Sequence, residues 1–291
     1  MGFSLGPAAP AEAGCPPDSV ESGPICIDKY EASVWDLSGL TGTAKAGELV
    51  EKIKKGTVTQ ENLIAAGAIQ RGVGSDDYGA GCPATGNGCV NFYAVSIPGV
   101  TPSRFITWFQ AVAAARNSGK RLPTNAEWQA AALGTPATGG ADNGATTCNT
   151  DYQAGGVTPT GSRTGCVSDM GAFDMVGNLW EWVADWVPRS TACADWGAFS
   201  DDFMCLAGAS TDSGPGALIR GGTFPSASSP GSSRCAGAAS RRTRAASSGF
   251  ARRASRPLTL CGLVSSPAGG RGYVLKAALF APRGAFFSRM T

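Results

Sequence analysis

The chain has 291 residues, 43% of them apolar, with 41 glycines and 10 cysteines, which allows one large domain or two small ones. It contains no histidine, which excludes His general-base catalysis, Ser–His and Cys–His pairs and His-ligated metal; no apolar run reaches the ~18 residues of a membrane-spanning helix. The net charge of +2 hides an asymmetry: residues 225–291 carry 11 Lys/Arg and no acid, leaving 13 basic against 22 acidic residues, net −9, in residues 1–224.

The front, MGFSLGPAAPAEAGC, is small-residue rich, and Ala11-Glu12-Ala13 has the look of a signal-cleavage site without its charged and apolar leader. Residues 1–13 read as the remnant of an export signal, the alternative being a plain Pro/Ala-rich terminus. Eight cysteines of the body fall as close pairs, Cys15/Cys26, Cys82/Cys89, Cys148/Cys166 and Cys193/Cys205, each around a Pro/Gly/Asp-rich loop. Without histidine they read as disulfides of an exported protein rather than zinc ligands. Spacing alone leaves connectivity open, but nearest-neighbour pairing closes small loops.

ICIDKYEASVW (25–35) is rich in β-formers and reads as one or two strands. Residues 44–81 are polar and Gly-rich, with one helix expected over TQENLIAAGAIQRG, capped by Thr59 and ended by Gly72. VNFYAVSIPGV (90–100) is a strand and a turn. Two helices follow with firm punctuation: Thr107 and Gln110 form one capping box with Gly119 beyond its end, and Thr124 and Glu127 form another, closed by Gly134. Arg121, between them, is expected to pair with an acid or a strand end. Residues 135–170 read as loop. Trp180, Trp182 and Trp186 have the even spacing of one sheet face and read as core rather than as stacking platforms. A second loop covers 188–216, and ALIRGGTF (217–224) is a strand running into two glycines.

IDKYEAS, GKRLPTNAEWQAAALG, FDMVGNLWEWVADW and LIRGG, in this order, resemble the sulfatase-modifying-factor family, whose fold is that of the formylglycine-generating enzyme, a C-type-lectin-like variant. The resemblance implies an α+β, loop-rich, disulfide-stapled domain over residues 14–224. PGVTPSRFITWFQAVAAARNSGKRLPTNAEWQAAALGTP and CLAGASTDSGPGALIRGG look closer to one branch, the variable proteins of diversity-generating retroelements, which bind ligands through a variable C-terminal segment. Asn178 and Glu181 could hold a structural calcium ion through oxygen ligands, with plain hydrogen bonding as the alternative.

Formylglycine-generating members need two cysteines shortly after the Arg-Gly-Gly; the corresponding positions here are Ser226 and Gly231, with Cys235 off register. Serine and glycine cannot replace a thiolate. The expectation is therefore a non-catalytic, receptor- or adhesin-like module. It would bind a protein or glycan at a cell surface through Thr223, Phe224, Pro225, Ser226, Ala227, Ser228 and Ser229. The alternatives are an oxidoreductase of the formylglycine-generating or a related iron-dependent type, which copper-dependent oxidation of a sulfatase-type peptide would reveal, and a structural surface or virion protein. The basic segment 225–291 has no aromatic interleaving that would suit nucleic acid. In the variable branch an Ala-Gly-Val-Phe-Ala and a closing Gly-Phe-Arg follow the Arg-Gly-Gly. A coding of each, read one base later, yields Pro-Gly-Ser-Ser-Arg and Ser-Gly-Phe-Ala, which stand at 230–234 and 248–251. Residues 225–291 are therefore expected to be a frameshifted, non-native tail, with a genuine basic tail as the alternative.

Overall fold

The computed structural model describes residues 14–136, 142–188 and 215–224, and three short strand segments beyond them at 236–238, 272–274 and 277–279. The elements run β1 (Ser19–Ser22), β2 (Ile25–Asp28), β3 (Ser33–Asp36), α1 (Ala44–Lys54), α2 (Gln60–Ala66), β4 (Ile69–Arg71), β5 (Phe92–Val95), α3 (Trp108–Asn117), α4 (Asn125–Ala131), β6 (Trp180–Pro188), β7 (Pro215–Arg220), β8 (Ala236–Ala238), β9 (Gly272–Val274) and β10 (Ala277–Leu279). They form small sheets of order β1-β2-β9, β10-β6-β7-β8 and β4-β3-β5. This is the α+β organisation expected from the sequence.

Three of the four expected cysteine pairs are disulfides: Cys15–Cys26, Cys82–Cys89 and Cys148–Cys166. Cys193 and Cys205 lie outside the described residues. Both capping boxes on α3 and α4 form, through Thr107 with Gln110 and Thr124 with Glu127. Arg121 completes the second, its guanidinium donating to both oxygens of Glu127 at 2.7 Å. Thr59 caps α2 with Asn62, but the helix ends at Gly67, not Gly72. Gly67 takes φ 87, the left-handed conformation that ends helices and that glycine adopts without a Cβ penalty, and residues 69–71 turn into β4. The sequence also held α1, which was not expected: Thr43 caps it and only Leu49 and Ile53, four residues apart, are buried.

Sheet alternation sorts the core. On β6 and β7, Trp182 and Ile219 face one cluster with Val34, Phe92 and the alanines of α3. Val183 and Leu218 face another with Ile25, Ile27, Trp128 and Met175. Trp180 and Trp186 pack with Trp182 on the first cluster, despite a register irregularity between Trp182 and Trp186. A third cluster, around Trp35, Leu49, Ile53 and Leu63, seats α1 and α2 on β3 and β5. In the basic segment, β8 pairs with β7, β9 with β2 and β10 with β6, so the Trp-rich strand has a neighbour on each side. The rest of that segment lies outside the described residues. No helix among the described residues is long and apolar enough to cross a membrane.

One buried ion cluster ties the first hairpin to the link between α3 and α4. Lys120 Nζ lies 2.5 Å from both Asp18 Oδ2 and Asp28 Oδ1, the three side chains being at most 7% exposed. Burial alone would lower the Lys120 pKa; Asp28 and Asp18 outweigh it and hold the ammonium above its usual value. Removing one partner of such a cluster leaves uncompensated buried charge. Lys120→Met is expected to cost roughly 3–5 kcal/mol in urea unfolding. Glu127 gives a pH-dependent counterpart. Burial pushes its carboxyl up, but Arg121 and the Thr124 amide outweigh this and hold it below its ordinary 4.5. Its contribution is thus present above 4.5 and lost as pH falls through the lower folded value. Glu127→Gln should destabilise by about 1 kcal/mol at neutral pH, with the difference from the parent closing as acid is added.

Candidate functional site

Two stretches meet in the interior, Gly177–Trp182 at the start of β6 and Arg220–Phe224 at the end of β7. The sheet sets them side by side, with Glu181 opposite Arg220, and the Gly177 amide donates to the Gly221 carbonyl at 2.8 Å. Gly177 is there because the chains touch: a Cβ at that position would sit 2.3 Å from the Asn149 carbonyl oxygen.

Asn178 is the hub. It is fully buried and takes φ 53, which Asn tolerates better than most side chains. Its Nδ2 donates to Glu31 Oε2 and to the Thr158 carbonyl at 3.1 Å. Its Oδ1 accepts from Asn149 Nδ2 at 3.0 Å, the Thr158 amide at 2.9 Å and the Thr158 hydroxyl at 3.2 Å. Its carbonyl accepts from the Phe224 amide at 3.1 Å and the Thr223 hydroxyl at 3.2 Å. Glu31 takes a further bond from the Leu179 amide at 3.1 Å. Beside this hub, Glu181 accepts from the Trp128 indole. Arg220 donates to Asn125 Oδ1 at 2.6 Å and lies 5.9 Å from the centre of the Trp128 ring, within cation–π range.

The residues expected to act at the surface are distributed differently. Thr223 and Phe224 are buried, 3% and 6% exposed: the threonine hydroxyl is bonded to Asn178, and the Phe224 ring packs edge-to-face on Tyr152 with centroids 5.3 Å apart. They anchor the end of β7. Pro225, Ser226, Ala227, Ser228 and Ser229 lie outside the described residues. Asn178 and Glu181, the residues expected to offer oxygen ligands to calcium, sit in separate hydrogen-bond sets. Among the described residues, Asn149 Oδ1 is one of the buried side-chain oxygens without a hydrogen-bond partner. Among the described residues no group of three or more His, Cys, Asp and Glu is arranged to hold a metal, and all six described cysteines are oxidised.

Sequence reasoning missed Glu31, Asn149 and Arg220 as parts of this centre. Glu31 and Arg220 stand in the quoted IDKYEAS and LIRGG stretches, but nothing local marks their partners. Because each carboxylate and amide here is desolvated, the network tolerates a new charge poorly. Asn178→Asp would set a second carboxylate against Glu31. It is expected to cost about 3 kcal/mol or more at neutral pH. Repulsion and burial raise the folded pKa of the new acid, so the charge part of the penalty shrinks as pH falls and is gone below the unfolded value of about 3.9, leaving only the loss of one donor bond. Denaturant titrations at several pH values measure this.

The chain matches the sulfatase-modifying factor enzyme 1-like domain over residues 50–254, which extends past Phe224 and through β8. It is 31% identical over 144 residues to a formylglycine-generating enzyme of Thermomonospora curvata, covering 42% of this chain and 44% of that protein. It is also similar to hercynine oxygenases: 34% identical over 96 residues to that of Mycolicibacterium smegmatis and 38% over 95 residues to that of Mycobacterium tuberculosis, each alignment covering 30% of this chain and 22% of the relative. The chain thus spans less than half the length of these curated relatives. All are named as enzymes, which overturns the expectation of a non-catalytic binding module drawn from the missing cysteine pair. With a family match over more than half of its length, and with the α+β disulfide-stapled architecture of the C-type-lectin type that goes with it, the chain belongs to the sulfatase-modifying factor family.

Proposed function

We propose that the chain is an oxidase-type enzyme of the formylglycine-generating kind, oxidising a cysteine side chain of a polypeptide substrate. The observation that carries this reading is the family match across both halves of the buried centre, together with the enzyme names of the relatives. Alignment is longer to the formylglycine-generating relative than to the hercynine oxygenases, which favours the peptide-modifying reading over the other.

In the reaction the substrate CH2–SH carbon becomes an aldehyde, sulfur leaves as sulfide, water supplies the aldehyde oxygen in the net balance, and two electrons and two protons go to dioxygen. What the described residues contribute is placement. The Asn178 hub and the Gly177–Gly221 contact fix the direction in which the chain leaves β7. The Glu181–Trp128–Arg220–Asn125 set braces the strand from the α4 side. Rigid supports of this kind hold a reacting segment in place without taking part in bond changes.

The resemblance implies copper held by two thiolates after the Arg-Gly-Gly. Ser226 and Gly231 at those positions do not fit it, since neither offers a thiolate, and no step is derived through a metal. The nearest remaining thiol in sequence is Cys235. It directly precedes Ala236, which pairs with Ile219 one residue before Arg220. We assign the thiol requirement of the activity to Cys235, and we place the protein in an oxidising compartment, in keeping with its disulfides. Full-length protein should convert the cysteine of a sulfatase-type peptide to an aldehyde under air, detected by hydrazide capture with copper supplied and withheld. Cys235→Ser should lose this turnover. A parent protein without turnover in either condition overturns the reading; full turnover by Cys235→Ser overturns the assignment of that thiol alone.

A further inference from the structure

Among the described residues, four that are not glycine take positive φ: Phe105, Tyr152, Asp174 and Asn178. Asp174 and Asn178 belong to the types that tolerate this conformation, and both are buried. Phe105 lies elsewhere, beneath Arg104. Tyr152 is different. At φ 57 it holds a strained backbone, yet its side chain is 43% exposed, so burial of the ring does not explain the strain.

The surroundings keep Tyr152 in that conformation. Its amide donates to the Phe224 carbonyl at 3.0 Å, and its own carbonyl accepts from Gly155 at 2.8 Å. Its ring stands edge-to-face on Phe224 at 87°. The loop before it is pinned by the Cys148–Cys166 disulfide and by Asp142. Asp142 accepts from the amides of Gly144, Thr150 and Asp151 and pairs with buried Arg163 at 3.2 Å. A strained, exposed aromatic on a rigid loop, touching Phe224 at the exit of β7, is the pattern of a preorganised recognition element.

We propose that Tyr152 is a substrate-recognition residue, its ring forming a wall against which the peptide flanking the reacting cysteine packs. The proposal rests on the peptide-oxidising reading above. An aromatic face suits this role because it offers a large, stiff contact area at little cost in side-chain entropy.

Tyr152→Gly separates recognition from folding. Glycine accepts φ 57 without strain, which offsets the lost edge contact with Phe224, so the variant should stay close to the parent's thermal midpoint while losing the ring. The probe is a sulfatase-type peptide with its cysteine replaced by serine, whose binding to full-length protein is read by calorimetry without turnover. Tyr152→Gly should bind it about tenfold more weakly, and Tyr152→Phe should restore the affinity. Unchanged affinity in Tyr152→Gly, or a loss matched by a lowered thermal midpoint, overturns the proposal. Turnover of the cysteine peptide with an unaltered KM in Tyr152→Gly sinks this inference and spares the activity. Tyr152-dependent binding without turnover does the reverse, and a parent protein that binds no peptide sinks both.

Discussion

The arrangement depends most on one buried amide. The Asn178 side chain joins Glu31, 147 residues away, to Asn149 and Thr158, 29 and 20 residues away, and its backbone carbonyl holds Thr223 and Phe224. Both ends of the amide are used: two donor bonds and three acceptor bonds leave it no second orientation. In a desolvated setting each of these bonds is costly to leave unmade. The loop around residue 150, the start of β6 and the end of β7 therefore adopt their positions together.

The rest of the domain solves a different problem, which is how to order long loops with few strands. Short disulfide loops limit the unfolded ensemble, each contributing on the order of 2–3 kcal/mol in the chain-entropy account. Polar side chains then satisfy loop amides directly. Asn143 Oδ1 accepts from the amides of Ala145, Thr146 and Thr147, and Asp142 does the same for its neighbours. Lys120 performs the longer-range version of this task, crossing from the α3–α4 link to the first hairpin. Such ionic ties are weak sources of stability but select one arrangement over its competitors.

What the sequence made legible follows the range of the interaction. Capping boxes, glycine stops and cysteine pairs act over a few residues, and α3, α4 and three disulfides were readable from spacing. Helix α1 escaped because AKAGELVEKIK is mostly polar and buries only two side chains, too narrow a stripe to stand out. The end of α2 was misplaced because Gly67 and Gly72 both carry a positive φ, and sequence cannot say which one ends a helix. The centre was less legible still. Asn178 and Glu181 carry the oxygen atoms a calcium ion would seek, but the same atoms serve an amide or an indole equally well. Their partners lie far away in the chain.

The position of Phe224 shows how little residue type alone says about exposure. A motif that ends in a turn and an aromatic suggests display. Here Phe224 is packed beneath Tyr152, and the exposed ring belongs to the partner. Up to this point the strand end is immobilised by the Asn178 hub and braced by Glu181, Trp128, Arg220 and Asn125. Departure from the family begins where Ser226 and Gly231 stand. Under the proposed oxidase reading, a thiol missing from both positions has to be supplied from nearby in the chain. Ala236 opposite Ile219 puts Cys235 next in sequence to the same end of β7.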